Sequence, residues 1–269
     1  MARKSVLAGG VKVGAIFPTN NDGDILVLEV VDAFHVRIVF LEYPYERWVQ
    51  SGNIILGGIR NPIRPNVCGV GFLGVGSHRA KVNYVPNPTH QTWHDMLKRV
   101  YTPKNEDAAR VYAGTSVHPY WHNFQNFAPW YHDRIDLFGS VDFTWELDKD
   151  LLVPGNRQYG PETCCLVPQH VNTLFTDHAV ARGNLPIGVH ERNGYYRAKV
   201  NYLGKNIDLG THSTIAEAQI AYWSAKFKAI RDTTIKYWQY LPEPLAWRLL
   251  TFDWPDAHAY YGDDAAIRL

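Results

Sequence analysis

The segment from residue 186 to residue 240 constrains the fold more than any other part of the chain. Asn193-Gly194 separates two runs that are rich in aromatic and β-branched residues, and Asn-Gly is among the strongest short-range signals for a β-hairpin. Leu203-Gly204 supports a second turn. The segment therefore predicts a three-stranded antiparallel meander whose strands are PIGVHER, YYRAKVNY and KNIDLGTHS.

A helix is predicted directly after this meander. Thr214 is followed three residues later by Glu217, which is the spacing of a capping box at a helix N-terminus. Small and apolar residues then fall on one helix face, namely Ala218, Ala221, Tyr222, Ala225 and Ile230. The sequence thus predicts a βββα unit in which the small alanines let the helix approach the sheet closely.

Cations and aromatic residues alternate along the middle strand of this unit. Tyr195, Arg197 and Lys199 alternate with Tyr196, Ala198 and Val200, so the first set points to one side of the sheet. Arg192 before the first turn and Lys205 after the second are expected to join that side. A basic sheet of this kind can read DNA from the major groove. An ordinary solvated sheet face has the same pattern, and the charges alone leave both interpretations open.

Residues 1–76 are predicted to form a small β module of barrel-like, SH3-like size. The runs ILVLEVV (25–31) and FHVRIVFLEY (34–43) indicate a hairpin, and ERWVQSGNIIL (46–56) indicates a further strand or pair. A glycine-rich stretch, GVGFLGVG (69–76), ends the module. It lacks the Gly-Lys-Ser/Thr ending of a phosphate loop, so it does not predict nucleotide binding.

Residues 77–180 are predicted to combine aromatic helices with a strand, a loop, a second strand and a short helix. The helical spacing lies in HQTWHDMLKRVY (90–101) and SVHPYWHNFQNFAPWYHDR (116–134). Asp148 and Asp150 lie two residues apart, so on a strand both carboxylates can reach one cation, and Asn156 lies in the next loop. Oxygen ligands of this type suit Mg²⁺. Acids beside a Pro-Gly-Asn turn are also common as plain turn residues.

The overall composition excludes several classes of protein. Lys and Arg number 27 against 26 Asp and Glu, a net charge of +1, so no global field points to nucleic acid or to a membrane. No apolar run is long enough to span a bilayer, and we expect a protein that acts inside a cell or is packaged into a virion from inside one. The spacing of His90 and His94, and of His118 and His122, is compatible with zinc, although packing explains it more simply.

The sequence resembles two known families. The stretch PIGVHERNGYYRAKVNYLGKNIDLGTHSTIAEAQIAYWSAKF (residues 186–227), within a match over roughly residues 186–232, resembles the Apetala-type (ethylene-response-factor) DNA-binding domain. Upstream blocks are similar to HNH-type homing endonucleases of bacteriophages, in which such blocks precede a domain of this kind; these blocks are WHDMLKRVY, HPYWHNFQNFAPWY, ELDKDLL and GNRQYGPETCCLVPQHVN. The leading segments KVGAIFPTNNDGDILVLEVVD and IRNPIRPNVCGVGFLGVG also look like those phage proteins, so the resemblance extends to about residue 235.

The resemblance implies a ββα-metal site that hydrolyses DNA with Mg²⁺ or Mn²⁺. It implies that Asp148, Asp150 and Asn156 lie at the metal and that Asn172 orients the site. Lys149 stands where such enzymes usually carry a histidine base. An ordinary lysine is protonated at pH 7 and cannot abstract a proton, so its expected role is to stabilise phosphorane charge while water or His170 acts as the base. A lysine deprotonated by burial, or an inactive centre, are the other interpretations.

These observations predict an α+β protein with four segments. The segments are an N-terminal β module (1–76), an HNH-like region (77–180), an Apetala-type βββα domain (181–240) and an acidic, aromatic tail (241–269). The predicted function is that of a phage DNA endonuclease in the cytoplasm of an infected bacterium, with double-stranded DNA as partner. The alternative is a non-catalytic DNA-binding or virion-associated protein whose tail contacts phage structural proteins or a second copy of the chain.

Overall fold

The computed structural model describes residue 7, residues 9–176, residues 185–261 and residue 265. The predicted boundary between residues 180 and 181 therefore lies outside the described residues. The fold is α+β, as the sequence predicts. The chain forms two compact units, one made of residues 1–101 and 119–128 and the other of residues 102–118 and 129–269. No helix in the described part of the chain has the length and apolar character needed to cross a membrane.

The described strands are β1 (Ile16–Pro18), β2 (Asp24–Val30), β3 (Val36–Phe40), β4 (Glu46–Val49), β5 (Lys81–Val82), β6 (Val85–Pro86), β7 (Ser116–Val117), β8 (Trp145–Asp148), β9 (Gln158–Tyr159), β10 (Cys165–Pro168), β11 (Val189–Arg192), β12 (Tyr195–Tyr202) and β13 (Lys205–His212). The described α-helices are α1 (Ser51–Ile55), α2 (Pro88–Tyr101), α3 (Glu106–Val111), α4 (Phe124–Ile135), α5 (Gln169–Phe175), α6 (Ile215–Tyr237), α7 (Glu243–Leu250) and α8 (Trp254–Tyr261). Short 3₁₀ segments cover Pro119–His122, Asp136–Phe138 and Trp238–Tyr240.

The first unit is built on an antiparallel meander in the order β1-β2-β3-β4. Alternate residues of β2 and β3 point inward and form a core with α1, which includes Ile25, Val27, Ile38, Phe40 and Ile54. The predicted hairpin is confirmed, but β1 and β4 do not pair with each other, so the sheet is open where the sequence suggested a barrel. The segment predicted as a third strand or pair becomes β4 followed by α1, because the chain turns into a helix at Ser51.

The second unit has one core that joins the central hairpin to the C-terminal βββα unit. Val167 and Leu174 from the hairpin region, Ala198 and Val200 from the sheet, and residues of α6 and α7 belong to the same buried cluster. Apolar residues of the tail, such as Leu245 and Leu249, are buried there as well. The tail segment, which the sequence predicts to contact another chain, therefore contributes to the core of its own unit.

Helix α6 contacts strands β11–β13 of the sheet and also the helices α5 and α7. Its first turn has the predicted capping box between Thr214 and Glu217. A side chain at Gly188 would place Cβ 2.0 Å from the ring of Tyr222, so only glycine permits this contact between the sheet and the helix. On the other side, the buried Lys226 ammonium donates to the carbonyl of Leu174 at the end of α5.

Candidate functional site

The three-stranded sheet forms because two tight turns fix its register. Asn193 and Gly194 have φ values of 53° and 77°, and Leu203 and Gly204 have φ values of 48° and 80°. Positive φ at both central residues is the feature of the type I′ turn, whose twist matches that of paired strands. The turns pair Arg192 with Tyr195 and Tyr202 with Lys205.

Four of the five predicted DNA-binding residues share the face of the sheet that points away from α6, which we call the outer face. Ala198 and Val200 are buried against the helix, so the alternating residues Arg197 and Lys199 of β12 point to the other side. Tyr195 lies in the same row, and Arg192 is directly opposite Tyr195. Directly opposite residues of an antiparallel pair project from the same side, so these four side chains form one basic, aromatic surface.

Lys205 does not share the outer face. It is paired with Tyr202, whose hydroxyl donates to the Asp232 carboxylate of α6 at 3.0 Å. This bond shows that Tyr202 points to the helix side, and its cross-strand partner Lys205 projects from that side too. The two-residue turn Leu203-Gly204 fixes this pairing, so counting residues across the turn would have placed Lys205 correctly from the sequence.

The register adds residues to the outer face that the charge pattern of β12 alone did not reveal. His190 is directly opposite Arg197, and Asp208 is directly opposite Lys199. The Asp208 carboxylate forms an ion pair with the Arg197 guanidinium and accepts a bond from the backbone N–H of Gly210 at 3.0 Å. Asp208 therefore partly neutralises this surface and holds Arg197 in place.

The central region has the strand-strand-helix order expected for a ββα unit. Strands β8 and β10 pair in antiparallel fashion, with Asp148 opposite Cys165 at one end and Trp145 opposite Pro168 at the other. Helix α5 follows β10 directly. Val171 and Leu174 of the helix and Val167 of β10 are buried together, so the helix packs on the two strands. We call β8, β10, α5 and the loop at residues 149–164 the ββα hairpin.

Asp148 ends β8 and holds the start of the loop. Its Oδ1 accepts bonds from the backbone N–H groups of Asp150 at 2.9 Å and Leu151 at 2.7 Å. Burial, together with repulsion from the nearby Asp150 carboxylate, raises the pKa of Asp148 to about 7 in spite of these bonds. Two carboxylates thus lie close together at the end of β8, and both are partly shielded from solvent.

Lys149 and Asn156 close the loop. The Lys149 ammonium donates to Asp150 Oδ2 at 2.8 Å and to the carbonyl of Asn156 at 3.2 Å. The Asn156 amide donates to the carbonyls of Lys149 at 2.6 Å and Gln158 at 2.7 Å, and its Oδ1 accepts from the backbone of Gln158. The side chain of Asn156 is therefore engaged in loop structure.

His170 and Asn172 lie on α5, and His170 is apart from the carboxylates. His170 is the second residue of the helix, at the Trp145–Pro168 end of the paired strands. Asp148 is three residues away along the ladder, about 10 Å at the usual rise per residue. The His170 ring contacts the ring of Tyr237, with centroids 5.8 Å apart. The structure thus brings Asp148, Lys149, Asp150 and Asn156 together and places His170 elsewhere.

The side chains at the end of β8 determine whether a divalent cation can bind there. Asp148 and Asp150 supply the hard carboxylate oxygens that Mg²⁺ prefers, and their mutual repulsion is of the kind that a cation relieves. Asn156 fits poorly as a third ligand, because its Oδ1, the atom that would bind a cation, accepts from the backbone N–H of Gln158, while its Nδ2 is held by two carbonyls. Over the described ranges, no group of three or more His, Cys, Asp or Glu residues has the arrangement of a metal site.

A cavity of about 550 Å³ adjoins the hairpin. Its wall includes Trp145 and Cys165 from the two strands, and its charged residues are Asp133, Arg134 and Glu162. Burial lowers the pKa of Arg134, whose guanidinium stacks on the ring of Trp130, 4.0 Å from its centroid. Two acids against one cation make this cavity a poor place for a phosphate group.

Comparisons with protein-family models, with curated proteins and with solved structures found no match to this chain. The functional argument therefore depends on the residues and geometry described above.

Proposed function

We propose that the protein binds double-stranded DNA through the outer face of its three-stranded sheet. The observation that carries this proposal is the alignment of Arg192, Tyr195, Arg197 and Lys199 on one side of a sheet whose other side packs on α6. The likeness of this segment to the Apetala-type domain agrees with it.

The chemistry of these side chains suits a DNA duplex. Arginine and lysine on an exposed surface bind backbone phosphates and release the counterions that surround DNA. Arginine also forms paired bonds to the O6 and N7 atoms of guanine, and a β-ribbon is narrow enough to enter the major groove. Tyr195 is 56% exposed, and it offers an aromatic surface beside Arg192.

The proposal is tested by measuring the affinity for a duplex as a function of salt, using fluorescence anisotropy. We expect the triple variant Arg192→Gln, Arg197→Gln, Lys199→Gln to lose about 100-fold in affinity at low salt and to reduce the salt slope by about 3. The charge-matched control carries Lys228→Gln, Arg231→Gln and Lys236→Gln on α6, and it should bind nearly as the wild type does. Equal affinities of the two triple variants would refute the proposed surface.

A second candidate function is hydrolysis of DNA phosphodiesters at the ββα hairpin. The observation that favours it is the pair of adjacent carboxylates, Asp148 and Asp150, at the end of the first strand of a strand-strand-helix unit. Mg²⁺ or Mn²⁺ bound there would polarise a phosphodiester. The Lys149 ammonium lies beside Asp150, where it is placed to stabilise negative charge on a phosphate oxygen.

Plasmid nicking with Mg²⁺ or Mn²⁺ tests this second function. We expect the wild type to nick DNA and Asp148→Ala to lose this activity. Asp148→Asn is the matched variant, because it retains an oxygen that can accept the two backbone bonds while it loses the charge. Nicking by Asp148→Asn at the wild-type rate would show that the metal is not held by this carboxylate.

Absence of nicking with retained DNA binding would instead support the non-catalytic alternative, a DNA-binding or virion-associated phage protein. The engagement of Lys149 and Asn156 in the loop favours this alternative. In either case we propose that the chain acts on DNA in an infected bacterial host. A tail contact with phage proteins or a second copy would involve Trp247, which is 54% exposed on α7.

A further inference from the structure

We propose that an arginine-lined pocket in the first unit is a second binding site for phosphate groups and that its ligand is the DNA backbone. The ligand assignment rests on the proposed DNA-binding function, whereas the pocket itself belongs to a different unit and a different set of residues. The pocket has a volume of about 490 Å³. Its charged lining residues are Arg47, Arg60 and Arg79, and the described lining residues include no acid.

Strand register directs Arg47 into the pocket. Arg47 on β4 is directly opposite Ile38 of β3, which is fully buried, whereas Glu46 is opposite Val39. Neighbouring residues of a strand point to opposite faces. Glu46 therefore projects to the other side of the sheet, where it pairs with Arg37 at 3.3 Å, and it does not neutralise Arg47.

A rigid turn places Arg60 beside Arg47. The buried Asn61 donates to the carbonyl of Tyr43 at 2.8 Å, and its backbone N–H donates to the buried carboxylate of Asp22. The Arg47 guanidinium donates to the carbonyl of Arg60 at 3.2 Å. Asp22 lies 3.6 Å from the Arg60 guanidinium and compensates part of its charge, which leaves an excess of positive charge in the pocket.

Residues 73–76 of the glycine-rich stretch also line the pocket. The Gln125 amide donates to the carbonyls of Leu73 and His78, and its oxygen accepts from the backbone of His78. A side chain at Gly74, which has a φ of +76°, would place Cβ 1.9 Å from Asn123 Oδ1, so glycine is required there. These contacts fix the loop that leads to Arg79, and they explain Gly74 without a nucleotide phosphate loop.

Three arginines around one concave surface favour an anion, because their mutual repulsion is relieved when an anion binds. The planar guanidinium forms paired bonds with phosphate oxygens, which makes arginine well suited to phosphodiesters. Arg47 and Arg79 are exposed, so a backbone phosphate can reach them. The pocket thus adds phosphate contacts that are independent of the outer face of the sheet.

The test uses the full chain and a defined duplex, with the salt slope of binding as readout. We expect the variant Arg47→Gln, Arg79→Gln to reduce the slope by about 2, and the charge-matched control Lys12→Gln, Lys98→Gln to leave it unchanged. Arg60 is retained because it pairs with the buried Asp22. If the double variant has a lowered melting temperature, Arg79→Gln alone should reduce the slope by about 1.

The outcomes separate this proposal from the DNA-binding proposal. The salt slope of DNA binding could fall in the outer-face triple variant but not in the pocket variant. This result would refute the pocket as a DNA-binding site, and the proposal for the outer face of the sheet would still hold. If the wild type does not bind the duplex, inorganic phosphate is the second probe. Stabilisation by phosphate that requires Arg47 and Arg79 would then assign the pocket to free phosphate and overturn the DNA backbone as its ligand.

Discussion

In the three-stranded sheet, Arg192, Arg197 and Lys199 project from one face of paired strands, whereas in the ββα hairpin Lys149 and Asn156 turn back onto the loop that carries them. The difference arises from the backbone. In the sheet, the tight type I′ turns let the backbone N–H and carbonyl groups at the strand ends form hydrogen bonds without these side chains. The longer hairpin loop needs side chains to form hydrogen bonds with its carbonyls and N–H groups. Polar residues are thus available for a ligand only where the backbone is satisfied without them.

The largest expected effect is on the stability of the hairpin loop. Asn156→Ala removes two bonds to backbone carbonyls, and we expect the free energy of unfolding to fall by about 2 kcal/mol. The matched control is Asn206→Ala on the exposed strand β13, which should cost less than about 0.5 kcal/mol. Urea unfolding measures both. Equal costs would mean that the two regions do not differ in how they use their polar side chains.

The next effect is a dependence of stability on pH that comes from Asp148. Its pKa is about 7 in the folded protein and lies near the ordinary value of 3.8 in the unfolded chain, so between these values the folded state binds more protons. Stability should therefore fall as pH rises from about 4 to about 7. Asp148→Asn removes this contribution, so the variant should gain stability relative to the wild type as the pH rises over that range.

Thermal unfolding across this pH range measures the difference in stability between the wild type and Asp148→Asn. Repeating the measurement with Mg²⁺ tests whether Asp148 also binds a cation. If Asp148 holds the cation, Mg²⁺ should stabilise the wild type above pH 7 and have little effect on Asp148→Asn. Parallel pH profiles for the two proteins would show that Asp148 keeps an ordinary pKa. The hairpin would then lack the mutually repelling carboxylates of Asp148 and Asp150 on which the nuclease proposal depends.

The smallest effect concerns the acid on the outer face. Asp208→Asn frees Arg197 from its ion pair and keeps an oxygen for the N–H of Gly210. We expect affinity for a DNA duplex to rise about threefold, since an exposed ion pair is worth at most about 1 kcal/mol. Anisotropy titrations at one salt concentration are sufficient. A loss of affinity would indicate that Asp208 itself contacts DNA or positions Arg197 for it.

The sequence predicted the local elements of the C-terminal unit because their signals are local. The turns at Asn193-Gly194 and Leu203-Gly204 and the capping box at Thr214 depend on residues within a few positions of one another. The buried face of α6 is wider than predicted, because Gln219 and Trp223 are buried as well. It packs against elements that are distant in the sequence, and helical spacing alone does not reveal them.

The candidate site was predicted in part. Alternation along β12 placed Arg197 and Lys199 on one face correctly, but the ion pair with Asp208 depends on a register shift between these two residues. In the hairpin, the residue types at Asp148 and Asn156 suggested ligands, whereas their bonds to backbone atoms depend on the path of the loop. The arginine pocket gathers Arg47, Arg60 and Arg79 from separate segments, and no spacing rule in the sequence connects them.

The most direct test of the DNA-binding surface compares the two sides of the βββα unit by photo-cross-linking. A photoreactive benzoylphenylalanine replaces Tyr195 on the outer face or, in the control, Ile220 on α6, which is exposed to a similar extent at 51% against 56%. We expect irradiation with a duplex to give a cross-linked product from position 195 and none from position 220. Cross-linking from position 220 alone, or equally from both positions, would contradict binding through the outer face.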